Sequence, residues 1–441
     1  MEEYLRILLE QIRCRQAHGA IRDEMEAHIR QQIEDNIASG MSMEQAEKAA
    51  VLDMGSPVET GIALDRIHRP QIAWKMILFI TAITIAASVM HILLGTQEYV
   101  CGAAVGLVLM IFMYRLDYTR IAEFAKPVAV LLLITVSACL HMGETMYGVT
   151  QSVQVGGIEI SFFPLMLFYV PLYAAIIYSY YGSGYQGLAK AVIWMILPII
   201  AALRMPSLAL AAILLAAQAV VLTIAVGKGW YHIAKEKTLA GLWGTVLGLP
   251  ILVFVQKYVM GGAANYQVMR IRMILTGQKE WDYTAKTAVD GIRSSVWIGD
   301  SGQNISANLP GGDSQFVLTY LISNYGFVAG ILICAALAFL IIRFFMIAVH
   351  QRNQLGMAMG VGCTMVIMLN GVINIAQNMG MIPSVQSFLP FFSAGNTSLV
   401  VSYMLAGIVL SIYRYKNIYA SHVQLKGLTV AQYKYCLLYT S

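Results

Sequence analysis

The sequence predicts an all-α, polytopic membrane protein of about ten transmembrane helices, preceded by a small soluble helical domain. Three observations carry this. Of 441 residues, 58% are hydrophobic and only 12% charged, where a soluble domain carries roughly a quarter charged. From Trp74 onward, apolar runs near or above the ~18 residues needed to span a bilayer recur through the chain. Charge is also segregated: residues 1–70 carry a net −5 and the rest a net +10. A β-barrel is excluded, because its strands would alternate in character rather than run apolar throughout. Nucleic-acid binding is not indicated, since the excess basic charge sits in short loops beside apolar segments.

Residues 1–70 read as a cytoplasmic helical domain. Leu5, Leu8, Leu9 and Ile12 give the first helix an apolar face. Met25, Ile29, Ile33 and Ile37 recur every four residues in a second helix, which Gly40 ends. Ser42 and Gln45 form a capping box for a third. Pro57, behind Ser56, takes the first position of a fourth. The run from Gln11 through Met25–Ile29 to Gly40–Pro57 resembles the permease-prefix domain of bacterial membrane proteins. That implies an interaction or assembly module and no chemistry.

The spans are expected at 74–94, 98–115, 125–141, 158–180, 188–203, 206–226, 239–259, 316–348, 355–376 and 395–413. The eighth exceeds a simple span, so it tilts or begins outside the bilayer. Loops on the N-terminal side carry Arg115, Arg120, Lys126, Lys190, Lys228, Lys235, Lys237, Arg343 and Arg352, whereas short loops opposite carry only Arg204. The positive-inside rule then puts both termini in the cytoplasm and a large loop, 260–315, outside. Eight of the acidic residues beyond position 70 fall on the outer side: Glu98, Glu144, Glu159, Glu280, Asp282, Asp290, Asp300 and Asp313. Polar chemistry belongs there. Residues 417–441 form a cytoplasmic tail, and its last six continue no pattern of the chain. The six cysteines show no metal-binding spacing, and no metal ligand set is expected among them.

The segment from Asn374 to Arg414 is the most specific. An Asn-rich helix end leads to Met381-Ile382-Pro383, then Leu389-Pro390-Phe391-Phe392-Ser393, Gly395-Asn396-Thr397-Ser398, an apolar helix and a basic stop. With Tyr266-Gln267 and Arg270-Ile271 in the loop, Leu309-Pro310 before Phe316, and Asp117 to Pro127, it resembles the SEDS family (shape, elongation, division and sporulation; FtsW/RodA/SpoVE-like). The resemblance covers residues 74–416 or so and marks 71–416 as a SEDS-like membrane domain.

The resemblance implies a role in peptidoglycan assembly during division, elongation or sporulation. Its ligand would be lipid II, the undecaprenyl-pyrophosphate disaccharide, and its partner a single-span class B penicillin-binding protein. It implies glycosyl transfer, which wants a carboxylate base at the attacking hydroxyl and cationic groups or a divalent cation on the departing pyrophosphate. Tyr266, Gln267, Arg270, Arg293, Gln315, Asn374 and Ser393 are the expected substrate-binding residues. Arg272 is a further loop cation. This chain departs from the family where its catalytic Asp stands, because Gln315 occupies that place and an amide is no base. Pro164–Tyr169 and Pro206–Leu208 also lack the family's charged residues. Asp313, two positions earlier, is the first substitute base and Glu159 the second. Ordinary roles compete for each: a helix N-terminal acid for Asp313 and a solvated helix end for Glu159. Two other classes stay open. One is a flippase or transporter of a lipid-linked substrate, which an internal repeat would favour and the uncharged helices do not. The other is a non-catalytic scaffold or regulatory member.

Overall fold

The computed structural model describes residues 1–142, 144–146, 149–156, 158–205, 207–259, 283–302 and 309–419. Residues 1–70 hold α1 (Glu2–Glu10), α2 (His18–Ala38), α3 (Met43–Asp53) and α4 (Pro57–Ile67). Their ends follow the local signals. Gly40 leaves α2 at φ +93°, Ser42 and Gln45 close the capping box of α3, and Pro57 opens α4. Gly61 lets α4 lie on α1, since a Cβ there would come 2.7 Å from the Leu8 carbonyl oxygen. Asp65, at 4% exposure, accepts from the Arg13 backbone N–H at 2.9 Å and from the Arg69 guanidinium at 3.0 and 3.1 Å. Those contacts, the Arg13 N–H foremost, hold its carboxyl below the usual value.

The chain then builds a helical membrane domain. Its helices are α5 (Trp74–Leu93), α6 (Glu98–Arg115), α7 (Tyr118–Glu123), α8 (Ala125–Met142), α9 (Phe162–Leu167), α10 (Tyr169–Tyr178), α11 (Gly184–Arg204), α12 (Leu208–Gly227) and α13 (Lys235–Val259). Further along the chain come α14 (Tyr283–Arg293), α15 (Val317–Tyr325), α16 (Phe327–Val349), α17 (Gln354–Asn378) and α18 (Asn396–Arg414). Among the described residues, seven helices are long and apolar enough to cross a bilayer: α5, α6, α11, α12, α16, α17 and α18. The α8 helix and the α9–α10 pair are apolar but shorter.

Burial sorts these helices into two layers. The α12, α17 and α18 spans are mostly buried, whereas α5, α6, α11 and α16 turn most of their surface outward. Central α17 packs on α10, α12, α16 and α18. Small residues permit the closest approach, between α6 and α18. A Cβ at Gly106 would fall 2.2 Å from Tyr403 Cδ2, and one at Gly407 would fall 2.7 Å from the Met110 carbonyl oxygen. Close backbone approach of this kind replaces the hydrophobic driving force that helices lack in lipid.

Two expected spans are broken. The 158–180 run begins as a strand and then kinks into α9 and α10. It completes a three-stranded antiparallel sheet of β1 (Glu144–Met146), β2 (Val149–Val155) and β3 (Ile158–Ser161) in the order β1-β2-β3. The 316–348 run divides at Gly326, which has φ +91° and leaves no room for a side chain beside Trp297. Residues 296–299 run alongside that break, with Phe327 N–H donating to the Val296 carbonyl at 3.0 Å and Gly299 N–H to the Tyr325 carbonyl at 3.2 Å. The first turns of the long run are thus a separate helix, α15.

Where α18 ends, the N-terminal helices meet the membrane domain. Gln71 N–H donates to the Arg414 carbonyl at 2.9 Å, and the Asn417 amide donates to the Ile67 carbonyl at 3.4 Å.

Candidate functional site

The sequence motifs converge at the end of the bundle that holds the α5–α6 connection, the small sheet, the 309–316 turn and the 379–395 segment. Leu309 to Phe316 makes a tight turn. Gly312 N–H donates to the Leu309 carbonyl at 3.1 Å, and the Ser314 and Phe316 N–H groups donate to the Gly311 carbonyl at 3.1 and 3.0 Å. Gly311, at φ +71°, supplies the left-handed step. Phe316 is buried with Leu309 and with Ala288 of α14, so α14 lies under the turn.

The C-terminal end of α17 grips this turn from the other side. Asn374 Nδ2, Gln377 Nε2 and Asn378 Nδ2 all donate to the Gln315 carbonyl, at 2.8, 2.9 and 3.3 Å. All three side chains are fully buried, where an unmet amide would be costly. Asn374 Nδ2 also donates to Ser387 Oγ at 3.1 Å, and Gln377 Oε1 accepts from Val385 N–H at 3.1 Å. Asn378 Oδ1 accepts from both the N–H and the hydroxyl of Thr319, at 3.0 and 2.8 Å. It therefore caps the first turn of α15, where N–H groups have no partner within the helix.

The Leu389–Ala394 turn closes the third side. Ser393 Oγ accepts from Leu389 N–H and donates to the Ser314 carbonyl, both at 2.7 Å. Ala394 N–H donates to the Asp313 carbonyl at 2.9 Å. Asn374 and Ser393, both expected to bind substrate, thus reach the turn carrying Asp313 and Gln315, and each donates to a backbone carbonyl of it.

Asp313 is half-buried on the turn. Its carboxylate acts electrostatically on His91 and on Tyr320. Burial first, and the Asp313 charge second, push the Tyr320 phenol up. Gln315 is also half-buried.

Glu159 lies on β3, not at the end of a span as expected, because residues 158–161 pair with β2, Glu159 opposite Gln154. It is exposed, and its carbonyl accepts from Thr397 Oγ1 at 3.4 Å. Thr397 Oγ1 also accepts from Ser161 N–H at 3.0 Å, which pins the sheet to the start of α18. Arg293 closes α14 and is exposed. Tyr266, Gln267, Arg270 and Arg272 lie outside the described residues. No three His, Cys, Asp or Glu side chains come together as a metal site among the described residues.

Sequence reasoning passed over His91, Thr96 and Tyr99. His91 Nε2 lies 2.9 Å from the Phe392 carbonyl and Nδ1 lies 2.8 Å from Thr96 Oγ1. The Tyr99 hydroxyl donates to the Phe391 carbonyl at 2.5 Å. A lone histidine at the end of an apolar run gives no local signal of a partner some three hundred residues away.

The relatives fit this architecture. A probable peptidoglycan glycosyltransferase FtsW from Thioalkalivibrio is 25% identical over 333 residues, covering 72% of this chain and 80% of its own. The peptidoglycan glycosyltransferase MrdB of Escherichia coli K12 is 23% identical over 344 residues, covering 75% and 89%. A chain from a solved peptidoglycan synthase complex superposes with a TM-score of 0.62 at 19% identity, covering 78% of this chain and 98% of that one. The FtsW/RodA/SpoVE family model, described as cell cycle protein, matches residues 71–418. With that match spanning the whole helical bundle, the chain belongs to the FtsW/RodA/SpoVE family of multi-pass membrane proteins.

Proposed function

We propose that this chain acts in peptidoglycan assembly at the outer face of the bacterial inner membrane, with both termini in the cytoplasm, and that it polymerises lipid II with Asp313 as general base. One observation supports the reading above the rest: the Asp313 turn is fixed by buried amides of α17 and by Ser393, although the family's acidic position is Gln315. A carboxylate shifted by two residues on a held turn keeps a defined place from which to reach the same hydroxyl. In the proposed step Asp313 takes the proton of the acceptor sugar hydroxyl. The oxygen attacks the anomeric carbon of the lipid-linked sugar, and the bond to pyrophosphate breaks with its electron pair leaving on the lipid pyrophosphate.

Arg293, with Arg270 and Arg272, meets the charge of the leaving group. A divalent cation would be carried through the phosphates. Tyr266 and Gln267 contact the sugar. Asn374 and Ser393 act through the backbone they hold, and Glu159 stands as the alternative base. The proposed partner is a single-span class B penicillin-binding protein supplying transpeptidation.

A second reading rests on Gln315 itself. An amide at the family's acidic position, together with uncharged helices α9 and α10, suits a member that binds lipid II or a partner without polymerising it.

Polymerisation of labelled lipid II by the purified protein, alone and with a co-encoded transpeptidase, separates the two. Glycan chains that disappear in Asp313→Asn support the shifted base. Chains absent from the native protein and gained in Gln315→Asp support the non-polymerising member. Chains from neither remove the glycosyltransferase reading and bring transport or scaffolding forward.

A further inference from the structure

His91 is fully buried at the last turn of α5, and its two ring nitrogens are both engaged. A carbonyl oxygen can only accept, so the nitrogen facing Phe392 carries the proton and donates to it at 2.9 Å. In the neutral ring the other nitrogen is an acceptor 2.8 Å from the Thr96 hydroxyl, whose single proton it shares with the His91 carbonyl at 3.0 Å. The chain between them turns back at Gly95, so one ring ties the end of α5 to the start of α6. The ring also stacks flat on Tyr99, with centroids 4.2 Å apart and planes 6° from parallel.

The two stacked rings pull on neighbouring carbonyls. Tyr99 holds that of Phe391 and His91 holds that of Phe392. Phe391 takes φ +69°, a left-handed conformation that a bulky residue rarely adopts and that surrounding contacts must impose. Its ring is fixed edge-on against Tyr403 of α18, centroids 5.2 Å apart. Ser393 and Ala394, which follow Phe392, grip the Asp313 turn, through Ser393 Oγ to the Ser314 carbonyl and Ala394 N–H to the Asp313 carbonyl. The Asp313 charge in turn acts on the His91 ring.

We infer that His91 is a positioning residue for Asp313, and that it sets the carboxylate's place through the Phe391–Ala394 turn. This rests on the reading of the Asp313 turn as the working element of the site. His91 has no exposed surface, so it is not itself a catalytic residue. What it supplies is an N–H donor at a fixed reach. Gln, whose Nε2 extends about as far as the imidazole Nε2, is the substitution that preserves this, and Leu is the one that removes it.

The test is lipid II polymerisation by full-length His91→Leu, His91→Gln and Tyr99→Phe. Loss of position at a reacting group costs up to about a hundredfold in rate. The expected result for His91→Leu is at least a tenfold fall in kcat with KM within twofold, and His91→Gln should recover most of it. Tyr99→Phe keeps the stack, loses one strap and should fall between them. Equal loss in His91→Leu and His91→Gln, or native kcat in a folded His91→Leu, overturns the inference.

A second measurement does not depend on catalysis. With Cys101→Ser as background, Asp313→Cys is labelled by a membrane-impermeant thiol reagent. The rate at position 313 should change severalfold when His91→Leu is added and stay within twofold with His91→Gln. An unchanged rate in both refutes the positioning role. An inactive His91→Leu beside a fully active Asp313→Asn would instead refute the reading of Asp313 as the base.

Discussion

Asn378 offers the sharpest test of how the site is held. Its side chain makes five hydrogen-bond contacts from full burial: two accepted from Thr319, and Nδ2 donating to the Asn374 carbonyl at 2.8 Å, to Asn374 Oδ1 at 3.2 Å and to the Gln315 carbonyl at 3.3 Å, its two protons shared among three acceptors so that four bonds' worth is made. Four net bonds at about 1 kcal/mol each would suggest a loss near 4 kcal/mol in Asn378→Leu. The structure argues for less. The Gln315 carbonyl keeps Asn374 and Gln377 as donors, and the Asn374 carbonyl lies in the α17 backbone ladder. The Thr319 hydroxyl can rotate to another acceptor. The Thr319 N–H is left buried without an acceptor and Asn374 Oδ1 loses its Asn378 donor, a penalty of about 1–3 kcal/mol for an unmet buried group. Asn378→Leu should therefore cost about 2–3 kcal/mol, and Asn378→Asp, which keeps the acceptor but turns a buried carboxylate oxygen onto the Asn374 and Gln315 oxygens, should cost at least as much. Equilibrium denaturation in detergent would measure both. A double-mutant cycle with Thr319→Val, which deletes the hydroxyl but keeps the N–H, should give a coupling of about 1 kcal/mol. A loss under about 0.5 kcal/mol in Asn378→Leu, or no coupling, would show that the cap on α15 is not what secures the turn.

Other consequences follow from packing and charge. Gly106→Ala and Gly407→Ala should each destabilise by about 1–3 kcal/mol, because the new Cβ meets Tyr403 or the Met110 backbone. Gly244→Ala, with open space around it in α13, should be neutral or stabilise by up to about 1 kcal/mol; equal effects at all three would refute the close-approach argument. The Asp65 carboxyl is lowered in the folded chain, so its contribution is complete above the ordinary carboxylate value and is lost as pH falls through the lower folded one. Amide exchange at Arg13 should therefore keep the same protection free energy between pH 7 and 5 and lose it only in stronger acid; loss already at pH 5 would assign the effect to another group. Asp65→Ala should cost about 1.5–3 kcal/mol, the range for hydrogen bonds to a charged group, read as earlier unfolding of the N-terminal helices.

Much of this architecture is legible because it is local. The α6 helix spans the expected 98–115, since an acid, an apolar run and a terminal arginine mark its ends. The Ser42–Gln45 box and Pro57 work through contacts three residues apart. The small sheet was missed although Val149 to Val155 alternates in character, because the neighbouring 158–180 run is apolar enough to pass for a span. The break at Gly326 was hidden for a different reason: a single glycine in an apolar run is as compatible with helix as with a turn, and here the segment at Trp297 decides. For the site, Asn374, Gln315 and Ser393 were legible by resemblance and do converge. The Asn374 amide and the Ser393 hydroxyl bond to backbone carbonyls of the turn, which no residue type reveals in advance. His91 and Tyr99 owe their roles to a turn far along the chain.

The two straps on that turn join residues 301 and 292 positions apart. The α5 and α6 helices are made early and wait through most of synthesis for the carbonyls they will hold. Contacts of such separation form late, after the intervening helices have found their places. The Phe391 conformation is imposed by neighbours, so a shortened or misinserted chain leaves the turn without its shape. Completion of the site is thus a report on the assembly of the whole bundle, and a half-built protein presents no working face to its surroundings.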